Sequence, residues 1–546
     1  MSVFAYMPYG AGGIIIRVET DIRRGIPGVD ITGLAEGAVR EARDRVRAAF
    51  RNSGFSFPAD RILINLAPAG LKKDGAALDL PIALSVMSAA GLAPASGNLL
   101  VMGELELSGR IRPVRGVLAA IAAGLTEGIS EFIVPAENAG EAAILASNKN
   151  SSGKGARFTA AESLQGAVNA LFIREEKVSL PESDVSVDAS VTSNKDAVAI
   201  DAAVTGDFSE VKGQAVYKRA LEIAAAGGHN MLVFGPPGAG KTMLARRMPS
   251  IMAPLTPDEA VEVTRLYSLA GPLSNNGFID RLITHPPFRA PHHSASAEGI
   301  LGGGRIPRPG EITLAHFGVL FLDEAPEFKI NVLQALREPL EDRVISISRA
   351  EGLVRLPAEF QLVLAANSCP CGRLGMKDTE TQSCYCSPEE VNRYWRKFGG
   401  ALLDRVEIRT AVLPPKIEEM GLSVTDKFPV TDGKNGAEER SGEIAARVSA
   451  AVEIQRRRFK GTGIRRNALL PAGKTADLCP LSEKAAGAFH KAIAKLGLSG
   501  RAYHGILRVA RTIADIEGRE TIEAEHILEA VYHRRLGEDP WEILSV

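Results

Sequence analysis

Residues 235–242 read Gly-Pro-Pro-Gly-Ala-Gly-Lys-Thr and follow directly on the apolar run Met-Leu-Val-Phe at 231–234. This segment has the pattern G-x-x-x-x-G-K-[ST] in its required setting, after a strand-like run and before a helix-like run. The glycines let consecutive backbone N–H groups face one anion, and the helix N-terminus adds partial positive charge. A flexible glycine linker would not be framed by apolar elements or end in Lys-Thr. The segment therefore predicts a nucleoside triphosphate site.

Two positions of this phosphate loop carry specific roles in the prediction. Lys241 is expected to reach the β- and γ-phosphates, and the hydroxyl of Thr242 is expected to bind Mg²⁺. The predicted cofactors are therefore ATP and Mg²⁺. The predicted ATP-binding residues are Gly235, Pro236, Pro237, Gly238, Ala239, Gly240, Lys241 and Thr242.

Length and composition limit the class of protein. The chain has 546 residues, of which 45% are hydrophobic and 24% charged, with a formal net charge of −1. These values indicate a globular chain of two to four domains without a global basic field, so any contact with nucleic acid must use local patches. The first residues lack a signal-peptide pattern, and no apolar run approaches the roughly 18 residues of a membrane span. We expect a cytoplasmic protein with no membrane partner.

Three blocks separate along the chain by composition. Residues 1–172 alternate short β-rich runs with helical runs, and residues 206–412 contain the phosphate loop. Residues 442–546 are strongly helical. The segments 173–205 and 413–441 lack periodicity and are polar, which is typical of linkers.

Two carboxylates follow a buried-strand pattern 81 residues after Lys241, in the sequence Val-Leu-Phe-Leu-Asp-Glu at 319–324. A parallel strand would deliver both to the sheet edge where the phosphates lie. Asp323 is expected to hold Mg²⁺, and Glu324 to polarise the attacking water. A third apolar run, 361–366, ends at Asn367, whose amide could contact the γ-phosphate or orient the water.

An arginine ends the sequence Gly-Ala-Leu-Leu-Asp-Arg at 400–405. Phosphoryl transfer often needs an arginine that neutralises transition-state charge, supplied by the same chain or by a neighbour. Without further context, a surface salt bridge is the more usual role of one arginine.

The order of these motifs resembles the AAA+ ATPases. The segments 288–294 (Phe-Arg-Ala-Pro-His-His-Ser), 302–305 (Gly-Gly-Gly-Arg) and 309–316 (Pro-Gly-Glu-Ile-Thr-Leu-Ala-His) are similar to the magnesium-chelatase-like branch, and most closely to the ComM/YifB family. The resemblance covers nearly the whole chain. It implies an α/β AAA+ P-loop ATPase core with a helical lid, preceded by an α+β domain like the proteolytic domain of Lon.

Site residues in the ATPase core follow from this resemblance. Asn367 would be sensor 1, and Arg405 would be the arginine finger acting on a neighbouring subunit. Arg501 would be the sensor-2 arginine, with Arg508 a poorer candidate. The resemblance implies a homo-hexameric ring with ATP between subunits.

The same resemblance implies a partner. In related ring helicases, an insert (roughly 264–310 here) and a hairpin before sensor 1 (344–360) face the pore. Arg343, Arg349 and Arg355 are the hairpin's basic residues and the candidate DNA contacts. The implied function is a DNA motor that acts as a branch-migration helicase in recombination and natural transformation. Its implied partner is single-stranded or branched DNA. A magnesium-chelatase-type motor subunit and a protein-remodelling ATPase remain the alternatives.

Four cysteines lie within eighteen residues and form two C-x-C pairs, Cys369 with Cys371 and Cys384 with Cys386. Four thiolates could surround a tetrahedral Zn²⁺ that braces the segment after Asn367. The more usual spacing is C-x₂-C, so unligated or redox-paired thiols stay open. The adjacent pair at 292–293 and His285 fit an ordinary turn of the insert better than a metal site.

The first block resembles the proteolytic domain of Lon through residues 103–137 and the upstream segment 73–79. That family hydrolyses peptides with a serine nucleophile and a lysine base. The matching positions are Ala77 and Ala120, and methyl groups cannot attack a peptide bond. The resemblance therefore implies a domain without protease activity, used for assembly or for contact with DNA or a partner.

The third block shows helical periodicity, with apolar residues at 506, 509, 510 and 513 on one face. This pattern fits a helical lid over the nucleotide. Its densest basic patch covers 456–460 and 465–466. A solvated helix face is the usual interpretation of such a patch, and contact with a DNA backbone is the alternative.

Overall fold

A computed structural model provides the fold. It describes residues 2–34, 37–73, 75–94, 97–147, 156–173, 206–271, 279, 281–304, 306–349, 352–375, 384–413, 439–496 and 499–535. The predicted linkers lie largely outside the described residues, as do Arg305 of the insert motif and the last eleven residues of the third block.

The first block is a mixed α/β domain around one seven-stranded sheet. Its strands are β1 (Ser2–Tyr9), β2 (Gly12–Arg23), β3 (Gly28–Thr32), β4 (Arg61–Ala67), β5 (Leu99–Val101), β6 (Glu104–Leu105), β7 (Ile111–Arg112), β8 (Glu131–Pro135) and β9 (Arg157–Ala161). Its helices are α1 (Gly37–Asn52), α2 (Asp79–Ala89), α3 (Val117–Thr126), α4 (Ala139–Ser147) and α5 (Leu164–Ile173). The sheet order is β3-β4-β2-β1-β5-β8-β9, and β6 pairs with β7 separately. Helix α2 is apolar on all sides because it is buried along nearly its whole length.

The second block is a five-stranded parallel sheet with helices on it. Its strands are β10 (Met231–Phe234), β11 (Phe288–Arg289), β12 (Val319–Leu322), β13 (Val344–Arg349), β14 (Gly352–Pro357), β15 (Gln361–Ala366) and β16 (Ile408–Ala411). Its helices are α6 (Ala215–Gly227), α7 (Lys241–Ala245), α8 (Pro257–Ala270), α9 (Ala297–Leu301), α10 (Glu311–Leu314), α11 (Ile330–Ala335), α12 (Arg337–Asp342), α13 (Pro388–Arg396) and α14 (Gly400–Leu403). The sheet order is β11-β12-β15-β10-β16, while β13 and β14 form the hairpin.

Burial of the central strands on both faces explains their continuous apolar sequence. Every residue of β10, β12 and β15 is buried. Such strands do not alternate apolar and polar residues, as expected for a parallel sheet that is covered on both faces. Because the strands run parallel, the residues after β10, β12 and β15 meet at one edge of the sheet. This edge carries the phosphate loop, the two carboxylates and Asn367.

The third block is helical, as predicted. Its helices are α15 (Ser441–Arg458), α16 (Thr475–Leu478), α17 (Glu483–Leu496), α18 (Gly500–Ile516) and α19 (Ala524–Arg535). They pack on α6 and β16 and share one apolar core with the flank of the sheet. The start of α18 lies near the opposite edge of the sheet from the phosphate loop, as the contacts of Arg501 below demonstrate. The role of this block as a lid over the nucleotide stays a prediction.

Candidate nucleotide-binding and hydrolysis site

The phosphate loop has the backbone shape that its glycines predict. Gly238 and Gly240 have φ of 77° and 87°, in the left-handed region that favours glycine. A Cβ at Gly235 would lie 2.0 Å from the carbonyl oxygen of Val412. The loop therefore needs glycine at these three positions. Helix α7 begins at Lys241, directly after Gly240.

Lys241 lies at the centre of the loop. Its Nζ donates hydrogen bonds to the carbonyl oxygens of Gly235 and Pro236, each at 2.8 Å, and to Oδ1 of Asn367 at 3.2 Å. Burial lowers the pKa of Lys241 to about 8, against the opposing effect of Asp323 and Glu324. A triphosphate at this position would replace carbonyl partners with anionic oxygens and favour the charged ammonium.

The predicted Mg²⁺ ligands contact each other. Thr242 Oγ1 donates a hydrogen bond to Asp323 Oδ2 over 2.8 Å, although 81 residues separate them. One hydroxyl and one carboxylate, completed by water and phosphate oxygens, suit the hard cation Mg²⁺. Tyr217 supports the loop from below, because its hydroxyl donates to the carbonyl oxygen of Lys241 at 2.9 Å. The residues present therefore fit an ATP–Mg²⁺ complex.

Glu324 extends from a strained position. Its φ is 48°, a left-handed conformation that costs energy for a residue with a Cβ. Its backbone N–H donates to Asp323 Oδ1 at 3.0 Å, and its side chain is 59% exposed. The exposed carboxylate is accessible to a water molecule, as a candidate general base must be.

His293 is a neighbour of Glu324 that the sequence did not reveal as part of the site. Its Nδ1 lies 3.9 Å from Glu324 Oε2. The sequence predicted an ordinary turn for His285, His292 and His293. In the structure, His293 contacts the candidate base Glu324. The signal was present in the segment 288–294, but β11 had to be placed beside β12 before the contact could be recognised.

Asn367 joins the loop to α13. Its side chain accepts the Lys241 bond, and its backbone N–H donates to the hydroxyl of Tyr394 at 3.2 Å. Trp395 Nε1 donates to the carbonyl oxygen of Ser368 at 3.0 Å. Two aromatic residues of α13 thus fix the chain at the point where sensor 1 is expected.

The two arginines predicted for catalysis lie together, away from this loop. Arg405 Nη2 lies 2.6 Å from Glu341 Oε1, and Arg501 pairs with the same oxygen. Arg405 precedes β16, so it lies at the start of the strands, whereas the phosphate loop lies at their ends. A four-residue strand spans about 13 Å. Both arginines are therefore separated from the Lys241 site of their own chain by the depth of the sheet.

A basic cavity of about 380 Å³ surrounds this pair. Arg508 and Glu407 form one wall, with 3.0 Å between Arg508 Nη1 and Glu407 Oε1. Nε of Arg405 and Nε of Arg508 are buried and have no hydrogen-bond partner among the described residues. The lining of the cavity has five arginines, Arg343, Arg405, Arg501, Arg508 and Arg534, and four carboxylates, Glu341, Glu359, Asp404 and Glu407. An anion brought to the cavity from outside the chain would have to replace these carboxylates as partners of the arginines.

The three candidate DNA contacts, Arg343, Arg349 and Arg355, do not lie together in the structure. Arg349 and Arg355 are exposed on β13 and β14, and Arg349 Nη2 donates to the carbonyl oxygen of Gly304 at 2.9 Å. Arg343 ends α12 at the base of the hairpin and lines the basic cavity. The structure therefore does not place Arg343 with the other two.

The four cysteines come together as predicted. Their sulfur atoms all lie within 4.8 Å of one another. Cys369 is buried, and the other three are half-buried. Cys479 is buried in the third block, apart from the cluster.

The first block has no serine–lysine pair at the predicted positions. Ala120 is buried in α3, and Ala77 packs against the same apolar cluster. Lys73 is also buried, but its ammonium group donates to the carbonyl oxygens of Gly33 and Pro68. The side chains at the two matching positions are methyl groups that pack in an apolar cluster.

The sheet, the phosphate loop, the Asp-Glu strand end and Asn367 together define an AAA+ ATPase. Three family models match the chain: "Magnesium chelatase, subunit ChlI" over residues 207–420, "Subunit ChlI of Mg-chelatase" over 18–138, and "Magnesium chelatase, subunit ChlI C-terminal" over 438–534. These matches place the protein in the magnesium-chelatase-like branch.

Relatives narrow the family further. The chain is 39% identical to the competence protein ComM of Haemophilus influenzae, over 98% of this chain and 97% of ComM. It is 40% identical to the protein YifB of Salmonella typhimurium, over 95% of this chain and 94% of YifB. The chain belongs to the ComM/YifB family.

A more distant likeness concerns the first block. The Lon protease of Clostridioides difficile is 28% identical over 133 residues, which are 23% of this chain and 17% of the protease. The described part of the chain has no helix of the length and apolarity that crossing a membrane demands.

Proposed function

We propose that this chain is the subunit of a homo-hexameric ATPase ring that moves on single-stranded or branched DNA. The observation that carries the proposal is the separation of Arg405 and Arg501 from Lys241 by the depth of the sheet. A complete hydrolysis site then forms only where the arginines of one copy meet the phosphate loop of the next. A closed ring satisfies every such interface with one type of contact.

In the hydrolysis step, Lys241 and Mg²⁺ would neutralise the β- and γ-phosphates. Glu324 would accept a proton from the attacking water, while Asn367 orients that water or the γ-phosphate. Arg405 of the neighbouring copy would stabilise the charge that develops in the transition state, with Arg501 beside it. The basic cavity has a volume of about 380 Å³ in which the arginines could receive a phosphate group.

The DNA contact would come from the hairpin. Arg349 and Arg355 are exposed on it. The hairpin follows α12, and this helix carries Glu341, the partner of Arg405 and Arg501. A ring of such hairpins would give local positive charge in a chain whose net charge is −1. The name of the relative ComM, a competence protein, favours a role in natural transformation, where the motor would migrate the branches of joint DNA molecules. Such a motor would work in the cytoplasm.

The alternative is a chelatase-type or protein-remodelling motor. The names of the three family models favour it. The likeness to ComM, a competence protein, argues for the DNA motor instead, because it extends over 98% of this chain and 97% of ComM.

One experiment separates these functions. ATP turnover would be measured for the protein alone, with single-stranded DNA, with a four-way junction and with a porphyrin-chelatase partner. Stimulation by DNA supports the proposal. Stimulation by the chelatase partner alone would contradict it.

A further inference from the structure

The loop that follows Asn367 packs against the phosphate loop. Its glycine, Gly372, has φ of 78°, and a Cβ there would lie 2.7 Å from Cδ of Pro237 in the phosphate loop. The same loop carries Cys369 and Cys371. The four-cysteine cluster therefore lies next to the loop that would bind the triphosphate.

The spacing of the sulfur atoms matches one tetrahedral metal ion. Four thiolates at the Zn–S distance of about 2.3 Å would be separated from one another by about 3.8 Å. The separations are 3.3 Å for Cys369–Cys371, 3.7 Å for Cys369–Cys384 and 3.6 Å for Cys371–Cys384, and the sulfur of Cys386 lies within 4.8 Å of the other three. A disulfide would require about 2.05 Å. Tetrahedral sulfur coordination of this kind selects Zn²⁺ among the common divalent ions.

The surroundings also suit thiolates. The backbone N–H of Leu374 donates to Cys369 Sγ at 3.4 Å, the kind of outer contact that orients a metal ligand. The cluster packs against the apolar core below β15, which would exclude water from the ion.

Contacts lead from the cluster to the nucleotide site by two routes. One runs through Gly372 to Pro237, as described. The other runs through α13, which follows Cys386 and whose Trp395 packs edge-on against Phe234, the last residue of β10. Phe234 directly precedes the phosphate loop. Both routes end on the segment that would hold the phosphates.

We propose that Cys369, Cys371, Cys384 and Cys386 bind one Zn²⁺ ion, and that this ion holds the loop 367–375 against the phosphate loop and so raises the affinity for ATP. The ion does no chemistry on the substrate. The proposal rests on ATP binding at the phosphate loop and is independent of any movement on DNA.

The metal content of the protein tests the first half. Protein purified without added metal should contain one zinc per chain by elemental analysis, and its four cluster thiols should react with a thiol reagent only after the metal is removed. Cys371→Ser should lose the zinc, while Cys479→Ser, a buried cysteine elsewhere, should keep it. No zinc in the wild-type protein, iron in its place, or four freely reactive thiols would overturn the proposal.

Binding of a fluorescent ATP analogue tests the second half. Zinc removal should weaken binding and zinc re-addition should restore it, both measured with Mg²⁺ present. Gly372→Ala keeps all four thiols and should keep the zinc, yet weaken binding through the clash with Pro237. Gly375→Ala, also left-handed with φ of 87°, is the matched control for backbone strain and should weaken binding less. Unchanged binding after zinc removal, or equal effects of the two alanines, would overturn the coupling.

A further arm keeps this result distinct from the ATP site itself. Lys241→Ala should lose analogue binding while keeping its zinc. If the wild-type protein binds no analogue at all, the proposed ATPase function fails. If it binds analogue equally with and without zinc, only the coupling fails.

Discussion

Arg405 is held by Glu341: Nη2 of the arginine lies 2.6 Å from Oε1 of the carboxylate, and Arg501 pairs with the same oxygen. Hydrogen bonding from Arg405 lowers the pKa of Glu341, so the carboxylate is charged at neutral pH. An arginine finger that serves a neighbouring copy must leave this partner. In the proposed ring, the Glu341 pair would therefore oppose assembly of the composite site.

Substitution of Glu341 measures that opposition. Glu341→Gln removes the negative charge that holds Arg405 and Arg501 within their own chain. Both arginines should then reach the neighbouring copy more easily, so half-maximal ATPase activity should occur at a lower protein concentration. Glu341 is 43% exposed, and such pairs contribute about 0–1 kcal/mol, so the shift should be no more than about fivefold. Glu338→Gln, an exposed glutamate on the same helix, is the control. A shift to higher concentration would show that Glu341 positions the finger rather than retaining it.

The role of Arg405 between subunits has its own test. Arg405→Ala should lower ATP turnover by about 10³-fold and leave nucleotide affinity largely unchanged. Mixing this variant with Lys241→Ala should restore part of the activity, because one interface can combine an intact loop with an intact finger. Mixed rings without activity would contradict a role for Arg405 in the neighbour's site.

Glu324 can be separated from nucleotide binding. Glu324→Gln keeps Lys241, Thr242 and Asp323, so the protein should bind ATP and remain assembled while hydrolysis is lost. Lys241→Ala should lose binding itself. Turnover and analogue binding would be measured for both. Near-normal turnover by Glu324→Gln would exclude Glu324 as the general base.

Contact between His293 and Glu324 predicts a milder effect. His293→Ala should lower the maximal rate more than it changes the KM for ATP, because the residue touches the candidate base and none of the predicted phosphate ligands. His285→Ala, another histidine of the insert, is the control. Equal effects of the two substitutions would assign His293 a general structural role.

The nucleotide site was largely predictable from sequence because its parts are local. The phosphate loop, the Asp-Glu strand end and Asn367 each follow a buried strand, and parallel strands bring such ends together. The cysteine cluster was predictable for the same reason, since its two pairs are close in sequence.

The rest of the site depends on tertiary packing that no local pattern encodes. Arg405 and Arg501 share Glu341 as a partner only because α18 begins near the start of β16, and no local sequence pattern encodes this packing. Arg343 carries the same charge as Arg349, but the end of α12 turns it into the cavity. Contact between Gly372 and Pro237 likewise appears only once the loops are folded.

Substitutions in the hairpin test its contact with DNA. Arg349→Ala and Arg355→Ala should each weaken DNA binding and reduce its salt dependence, while basal ATPase activity stays intact. Arg24→Ala, an exposed arginine of the first block, is the control for loss of a surface charge. Hairpin variants that bind DNA like the Arg24 control would move the contact elsewhere on the chain.

Equilibrium DNA binding by the wild-type protein tests the central claim most directly. Binding to single strands and to a four-way junction would be measured with an ATP analogue at about 50 mM salt and upward. The proposed motor predicts binding that needs the nucleotide, tolerates any sequence and falls steeply with salt, because arginines neutralise the phosphate backbone. Absence of binding to both DNAs at the lowest salt would contradict the DNA motor and favour the chelatase or protein-remodelling function.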